Sequence, residues 1–102
     1  MGTLVKVASA ADIPPGTGKL VEVEGKRIAI FNVGGHYYAM DDACPHRGGP
    51  LSEGELEGEV VTCPWHGSTF NVTTGAVLSA PARDSVGHYS VRDSGGELSV
   101  EV

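Results

Sequence analysis

The sequence has no long hydrophobic run and few basic residues, and these two absences narrow the range of its partners. No segment approaches the roughly 18 apolar residues that a membrane span requires. Lys and Arg number 7 against 13 Asp and Glu, which gives a formal net charge of −6. Because such a chain is not drawn to DNA, RNA or acidic lipid, we expect no nucleic-acid and no membrane partner. Its protein partners are expected to offer positive docking surfaces.

Cysteine is also scarce, with only Cys44 and Cys63 in the chain. The N-terminal residues 1–6 show no basic stretch followed by an apolar run, so we expect no secretion signal. In the cytoplasm thiols stay reduced and are free to bind metal. We therefore expect a cytoplasmic protein in which these two cysteines are available as ligands.

The chain is short, and its composition favours strands. At 102 residues we expect one domain, 1–102, with a modest core that a bound metal centre would help to stabilise. Glycine is abundant, at 15 residues, and helix-like runs are few. Both features indicate turns and strands, apart from one helical turn predicted at 10–13.

Apolar–polar alternation and the turns between apolar runs predict the positions of the strands. The longer candidates are 4–7, 20–23, 27–33, 36–40, 86–91 and 97–102. Shorter candidates are 55–56, 59–62 and 69–71, and a hairpin loop is predicted at 93–96. We expect an all-β, antiparallel fold, a sandwich or small barrel. Its scaffold would comprise about 1–42 and 83–102, and about 43–82 would form an inserted lobe.

Two short motifs carry the chemistry. Cys44-Pro45-His46 and Cys63-Pro64-Trp65-His66 are separated by sixteen residues, and each places a sulfur and a nitrogen ligand on one tight loop. Four such ligands admit either tetrahedral zinc or a Rieske [2Fe–2S] cluster. Zinc fingers normally pair Cys with Cys and His with His. One Cys and one His on each loop favour the cluster, while a structural zinc module stays as the alternative.

The stretches around these motifs resemble a known family. CPHRGGPL at 44–51 and CPWHGSTFNVTTGAVLSAPA at 63–82 look like the Rieske-type ferredoxins of bacterial ring-hydroxylating dioxygenase systems. The resemblance implies a Rieske-type fold with a cluster-binding subdomain and one [2Fe–2S] cluster. By that resemblance Cys44 and Cys63 bind one iron, and His46 and His66 bind the outer iron. Residues 79–81 resemble the family's third loop, which covers the cluster's other side.

The chain departs from the respiratory Rieske proteins at informative positions. Their two extra cysteines, joined as a disulfide, are replaced here by Gly49 and Trp65. Their tyrosine donor is replaced by Phe70, while Ser68 stands at the place of their serine donor. Fewer donors stabilise the reduced cluster less, so we expect a potential of about −150 mV, at the low end of the Rieske range.

The resemblance also implies a function. We expect a soluble one-electron carrier that passes electrons from a flavin-dependent ferredoxin reductase to a terminal aromatic-ring-hydroxylating oxygenase. It would be an electron-transfer component and a monomer, without catalytic residues of its own. The alternative is a Rieske small subunit of a larger oxidoreductase such as a nitrite reductase.

Several other residues can be interpreted either as ordinary structural or surface residues or as functional ones. His36 and His88 are expected to be structural or surface residues. Trp65 could shield the cluster at the docking tip, pack between the loops, or do both. Arg47 is either an exposed cation or a contributor to docking. Four alternating glutamates form either a solvated hairpin or a docking surface for a basic reductase: Glu53, Glu55, Glu57 and Glu59.

Overall fold

A computed structural model describes residues 3–44, 48–65, 67–80, 82 and 84–102. Within these ranges the chain forms short strands and two 3₁₀ helices, Ala10–Asp12 and Leu51–Glu53. The strands are β1 Leu4–Ser9, β2 Gly18–Val23, β3 Lys26–Val33, β4 His36–Asp41, β5 Glu55–Glu57, β6 Val60–Thr62, β7 Thr69–Asn71, β8 Val77–Ser79, β9 His88–Tyr89, β10 Val91–Ser94 and β11 Glu97–Glu101. In the described part of the chain no helix is long and apolar enough to cross a membrane.

The strands pair into three antiparallel sheets, which confirms the predicted all-β class. Their orders are β1-β11-β10, β2-β3-β4-β9 and β5-β6-β7-β8. The third sheet lies entirely between residues 55 and 79, inside the segment 43–82 that the sequence assigns to an inserted lobe. The lobe boundaries themselves stay a prediction.

Strand β3 is buried on both faces, and it separates two cores. Ala29 and Phe31 belong to one core, which also contains Cys44 and Cys63; we call it the cysteine-side core. Ile28 and Ile30 point the other way, because side chains alternate along a strand, and pack with Leu98 and Val100 in the terminal-strand core. This double burial explains why residues 28–31 of β3 are apolar without interruption.

Tight two-residue turns close the hairpins. Glu24 and Gly25 both have positive φ, 51° and 82°, and join β2 to β3. Gly95 and Gly96, at 59° and 90°, likewise join β10 to β11. Positive φ at both central residues gives a turn whose twist matches that of the flanking strands.

The C-terminal part corrects two sequence predictions. The predicted loop 93–96 contracts to two residues, because Ser94 pairs with Glu97 across the hairpin. The predicted strand 86–91 is instead β9 followed by β10, and it begins later. The amide of Val86 donates to the carbonyl of Gly75 at 2.9 Å, and that of Gly87 donates to the Asp41 carboxylate at 3.1 Å. The acceptors of these two amides are therefore a loop carbonyl and a side chain, not the backbone of a neighbouring strand. Strand β8 was not predicted.

Candidate metal centre

Cys44 opens a tight loop soon after β4. Its amide donates to the carbonyl of Gly49 at 2.9 Å, and its carbonyl accepts from the amide of Gly48 at 2.6 Å. Gly48 has a φ of 74°, in the left-handed region that favours glycine. The loop therefore closes on itself, and the Cys44 residue is only 2% exposed.

Cys63 repeats this arrangement directly after β6. Its amide donates to the carbonyl of Ser68 at 2.7 Å, and its Sγ accepts from the amide of Trp65 at 3.4 Å. Cys63 is also 2% exposed. Each cysteine thus opens a short loop, and a carbonyl on the returning side of the loop accepts from the cysteine's own amide.

The fold brings these two cysteines together as free thiols. Burial raises the pKa of the Cys63 thiol, the Trp65 amide opposes that rise, and the neighbouring Cys44 thiol adds to it. A thiolate is the form that binds metal, so metal binding at this pair must displace protons. Two adjacent buried thiols without a disulfide are suited to a soft metal centre.

The predicted histidine ligands, His46 and His66, lie outside the described residues, as do Pro45, Arg47 and Pro81. Their assignment as ligands stays a prediction based on the motifs. Elsewhere in the described ranges no group of three or more His, Cys, Asp or Glu side chains gathers as a metal site.

Ser68 tests whether the surroundings fit a cluster. Its side chain is fully buried, and its Oγ accepts from the amide of Ala82 at 2.9 Å. The hydroxyl proton has no acceptor among the residues that the structure describes. A buried donor without an acceptor is costly, and an iron–sulfur cluster provides sulfur acceptors. The buried Ser68 hydroxyl and the two buried thiols therefore fit an iron–sulfur cluster.

Gly49 marks a close approach between the two loops. An ideal Cβ at this position would lie 2.9 Å from the Sγ of Cys63 and 3.1 Å from the Cβ of Trp65. The Trp65 side chain packs against Gly49 yet is 50% exposed. Packing between the two loops is therefore observed, and a role of the exposed part of Trp65 in shielding or docking stays a prediction.

The remaining sequence candidates divide between the surface and the core. His36 and His88 are exposed on β4 and β9. Phe70 is fully buried in the cysteine-side core. The four glutamates at 53, 55, 57 and 59 are all exposed.

Sequence reasoning missed one residue beside the site, Asp42. It is a buried carboxylate, 2% exposed, two positions before Cys44. The only sequence signal was its place directly ahead of the motif, because its burial depends on contacts with residues further along the chain.

Comparison with known proteins identifies relatives with one common role. The ferredoxin CarAc of Metapseudomonas resinovorans is 41% identical over 97 residues, covering 94% of this chain and 91% of the relative. The 3-phenylpropionate/cinnamic acid dioxygenase ferredoxin subunit of Escherichia coli K12 is 39% identical over 93 residues, covering 90% and 87%.

Solved structures agree with these relatives. One is a complex of reduced oxygenase and oxidized ferredoxin in carbazole 1,9a-dioxygenase; its matching chain has a TM-score of 0.90 and 40% identity, with 96% of this chain and 92% of that chain covered. A small subunit of an NADPH nitrite reductase matches more weakly, at 25% identity and a TM-score of 0.83, with coverages of 96% and 97%. The family model for the Rieske [2Fe-2S] domain matches residues 3–90. The chain therefore belongs to the Rieske [2Fe–2S] family and has one Rieske-type cluster as its cofactor.

Proposed function

We propose that this protein is a diffusible one-electron carrier serving a ring-hydroxylating oxygenase. Electrons would arrive from a flavin-dependent ferredoxin reductase and leave to a terminal oxygenase. The carrier itself would be a cytoplasmic monomer without catalytic residues. The proposal is supported most directly by the similarity over 96% of this chain to a ferredoxin in complex with its oxygenase.

Four residues are proposed as cluster ligands. Cys44 and Cys63 would bind one iron through sulfur, and His46 and His66 would bind the other through ring nitrogens. The convergence of the two buried cysteines supports the sulfur half of this set. The bound cluster supplies a centre that gains and loses one electron.

The chain's own residues prepare that centre for electron exchange. Burial of Cys44 and Cys63 keeps water from the sulfur ligands, and the Trp65 amide donates toward the Cys63 sulfur. Hydrogen bonds to sulfur are one means by which a protein sets a cluster's potential. The exposed Trp65 offers apolar contact area for a partner beside the site.

Metal analysis with EPR tests the proposal against the zinc alternative. The purified protein should be reddish-brown, contain about two irons and two acid-labile sulfides per chain, and give a Rieske EPR signal when reduced. A colourless protein that contains zinc and gives no signal would overturn it.

Ligand variants test the proposed assignment. Cys44→Ser and Cys63→Ser should lose the cluster, because serine lacks the thiolate. His36→Ala and His88→Ala are the matched controls, since both side chains are exposed and outside the motifs. Loss of the cluster in either control would show that the wrong histidines have been chosen.

The nitrite reductase alternative receives less support. Its solved small subunit is 25% identical to this chain, whereas the ferredoxin CarAc and the Escherichia coli ferredoxin subunit are 41% and 39% identical. Purification as a monomer that accepts electrons from a ferredoxin reductase would agree with the carrier. Stable association with a large flavin or haem subunit would favour the alternative.

A further inference from the structure

Asp42 is a buried carboxylate that lies before the first ligand loop and outside the family motif. At 2% exposure it is one of three buried polar residues in the described ranges, with Asn32 and Ser68. Burying a carboxylate is costly unless hydrogen bonds replace the water that it loses. Its contacts therefore indicate what it stabilises.

Those contacts hold both ends of the loop that starts at residue 42 and returns at residue 52. The carboxylate Oδ1 accepts from the amide of Ser52 at 2.8 Å, and the backbone carbonyl accepts from the amide of Leu51 at 2.8 Å. The amide of Asp42 donates to the carbonyl of Arg27 at 3.0 Å, which ties the same point to β3. One residue thus joins the loop's start, its return and the central sheet.

Asp42 also replaces a missing helix cap. The 3₁₀ helix Leu51–Glu53 begins after Pro50, which gives no side-chain cap. The first amides of a helix have no partners within it and need acceptors from outside. Asp42 supplies both acceptors to the amides of Leu51 and Ser52, from a position eight residues before Pro50 in the chain.

The hydrogen bonds of Asp42 to Leu51 and Ser52, which we call the Asp42 clamp, are linked to both cysteine sulfurs through the loop backbone. Ala43 pairs with Pro50, and the Cys44 amide donates to the Gly49 carbonyl at 2.9 Å. Gly49 in turn packs closely against the Cys63 Sγ. A shift at residue 52 would therefore move Gly49, Cys44 and the surroundings of the Cys63 sulfur together.

We propose that Asp42 is a positioning residue for the cluster: its carboxylate fixes the first ligand loop and so the environment of both sulfur ligands. The proposal rests on the ligand set proposed above. Asp42→Ala removes the acceptor, whereas Asp42→Asn keeps an oxygen at the same position. Asp93→Ala is the matched control, because Asp93 also accepts from a backbone amide, that of Gly96 at 3.1 Å, on the distal β10–β11 hairpin.

The holoprotein and its variants are compared by EPR, reduction potential, iron release to a chelator and amide hydrogen exchange. In Asp42→Ala we expect shifted EPR g-values, a shifted potential, and iron release and Ser52 amide exchange about tenfold faster or more. Asp42→Asn should stay close to the wild type on all four measurements. Asp93→Ala should change only exchange near Gly96.

Each result supports or overturns the proposal. A loaded Asp42→Ala protein with unchanged EPR, potential and iron release would overturn it, as would an Asp42→Asn protein that releases iron as fast as Asp42→Ala. If Asp42→Ala does not fold, the wild type decides: exchange of the Ser52 amide as fast as that of exposed turn amides would overturn the clamp. A wild type without iron and sulfide would instead overturn the ligand set.

Discussion

Gly49 has an ordinary backbone conformation but no room for a side chain. A Cβ would lie 2.9 Å from the Cys63 Sγ, closer than real Cβ contacts allow, so one of the two groups must move. We expect Gly49→Ala to contain less iron per chain and to lose it faster, as measured by iron and sulfide analysis.

Gly48 provides the matched control for this substitution. It has a φ of 74° and open space around its Cβ position, so Gly48→Ala strains the backbone by about 1 kcal/mol without a clash. It should keep its cluster. Full iron content with an unchanged spectrum in Gly49→Ala would contradict the importance of the close approach.

Phe70 lacks the hydroxyl that a tyrosine would bring to the cysteine-side core. It is fully buried, so a new hydroxyl there must find an acceptor, and ligand sulfur is the acceptor suggested by the family resemblance. We expect the wild-type potential near −150 mV and a higher value in Phe70→Tyr, because hydrogen bonds to sulfur raise the potential. Voltammetry measures both, and Phe70→Leu controls for altered packing. A wild-type value well above zero would contradict this account.

Tyr89 and Asp41 form a second carboxylate contact, which ties β9 to the end of β4. The Tyr89 hydroxyl donates to Asp41, and burial, followed by that hydrogen bond and the carboxylate charge, raises the Tyr89 pKa to about 12. The folded pKa exceeds the unfolded value of about 10. This contribution to stability is therefore complete below pH 10 and is lost as the pH rises through about 12.

Asp41→Asn should lower the Tyr89 pKa while leaving it above 10, because burial remains after the charge is gone. Ultraviolet titration of phenolate absorbance measures the change, with Asp93→Asn as the control, because this β10 carboxylate accepts from the Gly96 amide instead. An identical alkaline titration in Asp41→Asn and the wild type would mean that the carboxylate does not act on Tyr89.

At the scale of elements, β3 separates the two cores, so substitutions on its two faces should have different consequences. Phe31→Ala and Ile30→Ala each remove a fully buried side chain and should destabilise the fold by about 2–5 kcal/mol. Only Phe31 shares its core with the cysteines. We therefore expect faster iron release in Phe31→Ala alone, measured beside denaturant unfolding. Equal iron release at equal loss of stability would show that β3 does not separate the two effects.

The elements that the sequence predicted well are those with local signals. The ranges 20–23, 27–33 and 36–40 correspond closely to β2, β3 and β4, because apolar runs and the glycine turns between them are encoded within a few residues. The strand expected at 86–91 was placed too early and as one strand, because the amides of Val86 and Gly87 find acceptors far away in the chain. No local pattern encodes such pairing.

In the candidate site, too, the features with local sequence signals could be predicted and those that depend on tertiary contacts could not. The convergence of Cys44 and Cys63 followed from motif and spacing, and the family match supports the cofactor. The burial of Asp42 and the contact of Gly49 with the Cys63 sulfur could not be predicted, since each depends on how the two loops meet. Sequence thus indicated the ligands, whereas only tertiary structure reveals what positions them.

At the scale of the whole molecule, negative charge is concentrated on one part of the chain. Between Arg47 and Arg83 the sequence has four glutamates and no Lys or Arg. This segment therefore contributes most of the formal net charge of −6. Glu55 and Glu57 are exposed on β5, and Glu59 is exposed in the turn between β5 and β6. These strands belong to the same sheet as β7, and Cys63 directly follows β6. A basic reductase would be attracted to this side of the molecule.

Charge placement rather than total charge should therefore control reduction by a flavin-dependent ferredoxin reductase. Glu55→Gln/Glu57→Gln/Glu59→Gln and the control Asp93→Asn/Glu97→Gln/Glu101→Gln each remove three negative charges from the net −6. Stopped-flow reduction at low ionic strength should be about tenfold slower in the first variant, with a flatter salt dependence, and unchanged in the second. Because screening shortens the reach of surface charge, the difference should disappear at about 1 M salt. Equal slowing in both variants would mean that net charge alone steers the encounter, and no slowing in either would remove these glutamates from docking.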